Sequence, residues 1–439
     1  MIFYIAILSI VTVTCLITLK NFQKGFYLVC ALRLLIPASI RIASVSVNTF
    51  LTIVLLISFF IHHKYKIHPI SKKLQAIIGL FITSSLILTV FALNMSIIEQ
   101  LKKMSSFFIV DMLLGILGWY AIQNKRDFRA LFKVLCATFL LISIYGLFEY
   151  ITKSNPYADW ASQMFEYGKN HSTYFLTEQR GFLSGRIMGT TTHPLTWGLT
   201  MSTFFAFLFN NKYYWNKYYY VAFILIIINA FLCGSRSALI MIGVYVIIRI
   251  SEKPKRIVKA FLITCFILIC TLNILPKTEE SQKFIDTIES SVFFWNENKS
   301  EEVGISGSSV SMRWEQLVFS FYLIQDSFLT GNGYGFSDVA QENTTTKYEE
   351  MMGFESILFT KIVNQGILGL IFFFIFYFSL LKYTCKQTRN RTEKYKIAAL
   401  YFTYLTGIIF TGLQNSFYIF FLFAMTEAKK YYLEKCNHQ

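Results

Sequence analysis

"YYYVAFILIIINAFLCGSRSALIMIGVYVIIRI", residues 218–250, contains two apolar runs, Tyr218 to Cys233 and Ala238 to Ile250, joined by a short connection that carries Arg236. A hydrocarbon core takes about 20 mostly apolar residues per spanning helix. Further runs of this kind cover Ile2 to Leu19, Phe26 to Ile40, Val45 to Ile61, Leu74 to Leu93, Phe107 to Ile122, Leu131 to Ile151 and Pro194 to Phe209. Ile257 to Leu275, Phe354 to Leu381 and Ile397 to Met425 complete a set of twelve. The last is long enough for one tilted helix or for two short ones broken near Gly412 to Asn415. With 54% hydrophobic and only 15% charged residues, no soluble domain is left over. The expected fold is an all-α integral membrane protein of about 12 transmembrane helices, one polytopic domain over residues 1–439. The first run has no basic residue before it and no small-residue cleavage site after it, so it reads as a retained span.

Lys and Arg resist translocation and collect in cytoplasmic loops. Lys64, Lys66, Lys72 and Lys73 follow the third run, and Lys125, Arg126 and Arg129 follow the fifth. Arg249, Lys253, Lys255 and Arg256 follow the ninth, and Lys382, Lys386, Arg389, Arg391, Lys394 and Lys396 the eleventh. These loops account for most of the formal +16, which is therefore a topology signal rather than a nucleic-acid surface. Two features strain the scheme. Lys102 and Lys103 fall outside, and the basic tail at Lys429, Lys430 and Lys435 falls inside only if the last run crosses twice.

In this orientation two long polar segments face outward, residues 152–193 and 276–353. Glu279, Glu280, Asp286, Glu289, Glu301, Glu302, Glu349 and Glu350 make the second acidic where the inner loops are basic. Long loops in a tightly connected bundle carry function or are disordered. Within the second, Trp314 to Ile324 has apolar residues at helical spacing, and Gly331, Gly333 and Gly335 mark a turn. The glycine cluster lacks a Walker spacing, so a simple turn is the favoured reading over a phosphate loop.

Arg236 lies where the chain re-enters the membrane at the outer face. Alone it would read as a snorkelling anchor among lipid headgroups. Arg186, in "GRIMGTTTHPLTWG", lies just outside the neighbouring inward span, and Arg313 sits in the acidic outer loop. Three guanidiniums on one face suit a diphosphate, because the planar fork gives paired charge-assisted hydrogen bonds and stays charged.

Arg186 followed by "THPLTWG", then "GSRSALI", "RWEQLVFSFYLIQDSFLTGNGYGFSD" and "FESILFTKIVNQGILGLIFFF" resembles the O-antigen polymerase and O-antigen ligase superfamily of bacterial membrane glycosyltransferases. The likeness covers roughly Arg180 to Phe374, and its specificity lies in the order of the motifs. It implies a GT-C-like architecture and a metal-independent, inverting glycosyl transfer at the periplasmic face of the inner membrane. It also implies an undecaprenyl-diphosphate-linked oligosaccharide as donor and acceptor, with no cofactor. Arg186 and Arg236 match the family's arginines at the span boundaries and would hold the leaving diphosphate; Arg313 matches an arginine of the outer loop. The outer segments carry no Asp-x-Asp metal site.

The transfer needs a base for the acceptor hydroxyl. Ligases of this superfamily have a histidine where the long loop re-enters the membrane. Here that stretch reads "MMGFESILF", so the matching polar residue is Glu355 or its neighbour. This departure favours the polymerase branch, a repeat-unit polymerase for O-antigen or capsule, over an O-antigen ligase; a polytopic transporter or lipid-linked glycan flippase is the rival of another class. Glu355 is alternatively a helix N-terminal glutamate favoured by the dipole. His193 is the other candidate base, although His-Pro at a helix start also shapes the turn. The expected partners are the bilayer, the lipid-linked glycan and, as an open possibility, a chain-length regulator, with no nucleic acid.

Arg33 and Arg41, flanking Pro37, form a second arginine pair near the outer half of the membrane. Two readings stay open: they hold a lipid phosphate, or they pair with a carboxylate such as Asp111. Cys15, Cys30, Cys136, Cys265 and Cys270 fall inside spans without Cys-x-x-Cys spacing, which supports neither a disulfide framework nor a zinc site.

Overall fold

The computed structural model describes residues 2–36, 40–42, 45–62, 70–92, 94–164, 175–180, 183–214, 218–252, 310–342, 354–413 and 416–436. The run Ile257 to Leu275, the acidic flanks of the second long loop, Pro37 and Asn415 lie outside the described residues.

The chain is a bundle of helices. α1 (Ile2–Lys20), α2 (Phe22–Leu35), α3 (Val47–His62) and α4 (Lys72–Phe91) come first. α5 (Ile97–Phe107) runs through a π-helical turn at Phe108–Met112 into α6 (Leu113–Ala121), and α7 (Lys125–Thr152) follows. Beyond the short α8 (Pro156–Met164) come α9 (Pro194–Asn210), α10 (Tyr218–Leu232) and α11 (Arg236–Ser251). The second long loop contributes α12 (Val310–Leu323) and α13 (Phe336–Glu342). α14 (Ile357–Gln387), α15 (Arg391–Thr411) and α16 (Phe417–Cys436) close the bundle. Two-residue antiparallel pairs, Arg41–Ile42 with Val45–Ser46 and Gln179–Arg180 with Leu183–Ser184, are the sheet structure among the described residues.

Four described helices are long and apolar enough to cross a membrane: Lys72–Phe91, Ile97–Ala121, Lys125–Thr152 and Ile357–Gln387. Tyr4–Lys20, Val47–His62 and Tyr219–Leu232 are shorter apolar helices. This is an all-α, multi-pass membrane protein; among the described residues, four of the expected spans meet this measure.

α9 lies at the centre and is apolar or small on nearly every face, as a fully surrounded helix requires. Its Phe204 stacks on Phe139 of α7 with ring centroids 3.5 Å apart, and its Phe207 stacks on Phe423 of α16 at 4.0 Å. Such ring pairs contribute about 0.5–1.5 kcal/mol beyond the area they bury. Apolar side chains that face outward, such as Leu16, Ile87 and Val90, lie on the lipid-side surface of α1 and α4.

Hydrogen bonds between elements define the two ends of the bundle. At one, Gln23 Nε2 donates to the Ala121 carbonyl, Ser71 to the Tyr383 hydroxyl, Asn210 Nδ2 to the Lys396 carbonyl and Tyr431 to Glu393. Most of the described basic residues counted in the loops gather here, as the alternation of the spans requires. At this end Asn124 and Asp127 form a reciprocal cap on α7.

The two strained features have structural explanations. The last apolar run is two helices. Gly412 takes φ +70°, breaking the chain between α15 and α16, and Lys430 returns to the basic end, where it donates to Asn211 Oδ1 at 2.9 Å. Lys103 lies at the opposite end because α5 is built into the outer loop: its Nζ reaches the Gly335 carbonyl at 3.1 Å and Asp338 at 3.2 Å.

The glycine cluster Gly331, Gly333, Gly335 is a packing device. Asn332 N–H donates to the Val363 carbonyl and Gly333 N–H to the Asn364 carbonyl, docking the turn on a kink in α14. At that kink Gly366 adopts φ +65°, and a Cβ there would lie 2.4 Å from the Leu329 backbone. Gly366→Ala is therefore expected to unseat the outer loop from α14, costing more than the ~1 kcal/mol of an ordinary glycine replacement. The check is a clear fall in the detergent-solubilised melting temperature, against little change for Gly79→Ala, where a Cβ meets open space.

Candidate functional site

The end of the bundle opposite the basic loops carries the candidate residues. α7 ends at Thr152 with Lys153 in the left-handed region, and the chain returns through residues 175–193 to start α9. The stretch from Arg186 to Thr190 is irregular yet buried. Its backbone finds partners in side chains: Met188 and Gly189 N–H donate to the two Glu149 oxygens at 3.1 and 2.7 Å, and Asn155 Nδ2 donates to the Gly189 carbonyl at 3.0 Å. Thr190 Oγ1 donates to the Leu34 carbonyl at 2.7 Å. Buried backbone groups without such partners would each cost about 1–3 kcal/mol.

Arg186 is 3% exposed and lies across the turn between α10 and α11. Its Nε donates to the Cys233 carbonyl at 3.0 Å, and its Nη1 pairs with Glu178 at 3.2 Å. Gly234 has φ +63°, and a Cβ on it would come within 3.0 Å of the Arg186 stem. "CGSR" is thus shaped around a second arginine, with Arg236 at the first turn of α11. Arg186 is thereby fixed against the turn that leads into Arg236, 50 residues further along the chain (236 − 186).

The other half of the site is the start of α14. Ser356 caps that helix by accepting the Leu358 N–H, which leaves Glu355 just ahead of the first turn. Arg313 of α12 donates through Nη1 to the Glu355 carbonyl at 3.4 Å. Burial pulls the Arg313 guanidinium below its ordinary value, and the charge of Glu355 opposes that shift. The two halves share a depth in the bundle. A Cβ on Gly407 of α15 would touch Leu199 and Met241, and one on Gly412 would touch the Glu355–Ser356 backbone. Gly412 lies five residues beyond Gly407 and Arg236 five residues before Met241, each about 7.5 Å along a helix toward the same end.

Residues 221–374 match the family model described as O-Antigen ligase. The matched segment holds Arg236, Arg313 and Glu355; Arg186 and His193 precede it. The match covers about a third of the chain and makes this segment similar to that family. No curated protein matches the chain.

His193 is the N-cap of α9: its Nδ1 accepts the Leu195 N–H at 3.1 Å, and its ring meets Phe175 edge-on at 4.8 Å. A backbone N–H can only donate, so Nδ1 is held as the acceptor and the neutral ring carries its proton on Nε2. In this geometry the ring's lone pair is committed to the cap. Arg41 is exposed in the first two-residue strand, whereas Arg33 is buried and pairs with Asp111 at 3.3 Å. Of the two readings of that arginine pair, the carboxylate partner is the one in place.

Sequence reasoning missed Glu149 and Glu178. Glu149 had a signal, an acid near the end of the run Leu131 to Ile151 where an ionisable residue is expensive. Glu178 had none, since only the fold of residues 175–186 carries it to Arg186.

Arg186–Glu178 is buried, whereas Lys103–Asp338 is largely exposed. Glu178→Ala is expected to cost about 3–5 kcal/mol by leaving a buried guanidinium without its carboxylate. Asp338→Ala is expected to cost about 0–1 kcal/mol. Denaturant titrations of the two variants in the same detergent measure the difference.

Proposed function

We propose that the protein is a polysaccharide repeat-unit polymerase for O-antigen or capsule. It would transfer a growing glycan from undecaprenyl diphosphate to a lipid-linked repeat unit at the periplasmic face of the bacterial inner membrane. The observation that carries this reading is the junction of Arg186 with the turn that bears Arg236, inside or beside the segment that matches O-Antigen ligase. In the transfer, an acceptor hydroxyl attacks the anomeric carbon of the donor sugar, the bond from that carbon to phosphate oxygen breaks, and the diphosphate leaves with the electron pair. Guanidiniums fixed beside the leaving oxygens stabilise that charge without reorganising, which is worth about 10²–10³ in rate for one donor. Arg236 is the principal donor; Arg186 adds its charge through a fork already oriented by Glu178 and Cys233. The hydroxyl proton goes to Glu355, whose carboxylate lies beside Arg313 at the re-entry. The cap geometry of His193 favours Glu355 over the imidazole as base, and a carboxylate in this place favours the polymerase over the ligase branch.

Polymer formation in a cell lacking its own polymerase tests this, once each variant is shown to reach the membrane. Arg236→Ala and Glu355→Gln are each expected to reduce long-chain polymer at least a hundredfold while single repeats still reach the cell surface. Full activity in Arg236→Ala would make that arginine a membrane anchor and overturn the site. Loss of single repeats as well would point to the ligase reaction instead.

A further inference from the structure

The longer helix of the second long loop is built inside out. In α12, Gln316 and Ser320 are buried, at 2% and 0% exposure, and the buried Ile324 and Ser327 continue their row into the following turn. On the other side Trp314, Val318, Phe321 and Tyr322 recur at helical spacing and are exposed, Trp314 by 66% and Tyr322 by 62%. The turn adds Phe328 and Leu329, which are also exposed. A helix surrounded by water turns its apolar stripe toward the core. A helix that faces lipid on one side does the reverse, keeping small and polar residues for its contacts with other helices.

The depth of this segment follows from α14. The kink at Gly366 divides that helix, and residues 367–387 beyond it rise about 31 Å, which matches the thickness of a hydrocarbon core. Near their far end Tyr383 accepts the Ser71 hydroxyl at the basic end of the bundle. Gly366 therefore marks the opposite boundary of the bilayer. At that level the Phe328 and Leu329 carbonyls accept the Ile367 and Leu368 N–H groups at 3.1 and 3.3 Å. About one turn further along α14, Ile371, Ile375 and Phe378 are exposed at i, i+4 and i+7, as a lipid-facing row requires. Phe328 and Leu329 extend that row to the boundary, and α12 continues it. Leu317, Phe319 and Leu323 pack on the cluster of Phe354, Phe359 and Val363, and Arg313 reaches the Glu355 carbonyl, so α12 runs beside the first turns of α14.

We infer that the exposed face of α12, together with the Phe328–Leu329 turn, is a membrane-binding surface seated in the interface of the leaflet opposite the basic loops. Its occupant is the phospholipid of that leaflet, because the face is continuous with the lipid-side surface of a spanning helix. Trp and Tyr are the side chains that favour headgroup level, which suits Trp314 and Tyr322. Glu315, Gln325 and Asp326 are exposed as well, and at this shallow depth their polar ends reach headgroups or water. The second long loop is thus in part a membrane element, and its seat sets the height at which Arg313 meets the start of α14. The inference holds independently of the reaction proposed for the site.

The test is photo-crosslinking of the full chain in nanodiscs of phosphatidylethanolamine and phosphatidylglycerol, with benzoylphenylalanine in place of Val318 or of Tyr322 and adducts identified by mass spectrometry. The same probe in place of Ile375 gives the yield of a lipid-facing position on a span. Phospholipid adducts at both α12 positions, within about threefold of that yield, are the expected result. Adducts to residues 253–309 of the same chain would show that another segment covers the face, and adducts to a second copy would make it a dimer contact; either overturns the inference. Yields below about a tenth of the reference would place the face in water and overturn it too. A second measurement does not depend on the bulky probe. The emission lost in Trp314→Phe, taken as the difference from wild type, is expected to be quenched by phospholipid brominated near the headgroup end of its chains and to be shielded from aqueous iodide. Quenching by iodide with none by the brominated lipid would sink the inference whatever the crosslinks show.

Discussion

The site depends on keeping an irregular, buried stretch of backbone satisfied in surroundings that offer little water. Residues 186–190 lie in neither a helix nor a ladder; Glu149 and Asn155 bond the backbone of Met188 and Gly189, and the Thr190 hydroxyl ties the stretch to the Leu34 carbonyl. The same stretch starts with Arg186, whose stem passes over Gly234 and whose Nε donates to the Cys233 carbonyl. One loop is therefore tied to the ends of α2, α7 and α10 together. If its polar groups were unpaired, the loop would have no reason to stay in the bundle, and Arg186 would not reach the Cys233–Gly234 turn.

The outer loop is docked by a different kind of constraint, close approach of backbones. The turn at 331–335 lies against the kink at Gly366 and hydrogen-bonds to carbonyls of α14 that the kink has released from helical pairing. From the other side Gln100 accepts the Tyr334 N–H, and Lys103 closes on Gly335 and Asp338. Arg313 reaches the start of α14 from the same loop. Docking and site geometry are thus coupled: a turn that cannot come within backbone contact of α14 cannot hold α12 where Arg313 meets Glu355.

Charge is distributed with the same economy. At the basic end Lys396 pairs with Glu393 in a half-buried setting and Lys430 with Glu427 in a buried one. At the opposite end Arg33 and Arg186 are nearly inaccessible, each with one carboxylate from another segment. Buried guanidiniums of this kind are weak evidence for stability and stronger evidence for a role that needs positive charge in a low-dielectric space.

The sequence by itself determined the class of the fold and the order of its elements. Apolar runs of near-spanning length show directly where helices lie, because lipid-side and core-side residues are both apolar. Basic loops likewise show which ends belong together. The arginines were legible as candidates because a permanent charge at a span boundary is expensive. Tertiary structure alone decided which of them meet. Arg33 and Arg41 look alike in sequence, yet one is buried against Asp111 and the other is exposed. Glu178 carries no mark beyond being acidic. His193 became a helix cap only once the backbone of α9 was in place to donate to it. Pairing, capping and close approach depend on distances between segments far apart in the chain, and no periodicity within a segment encodes them.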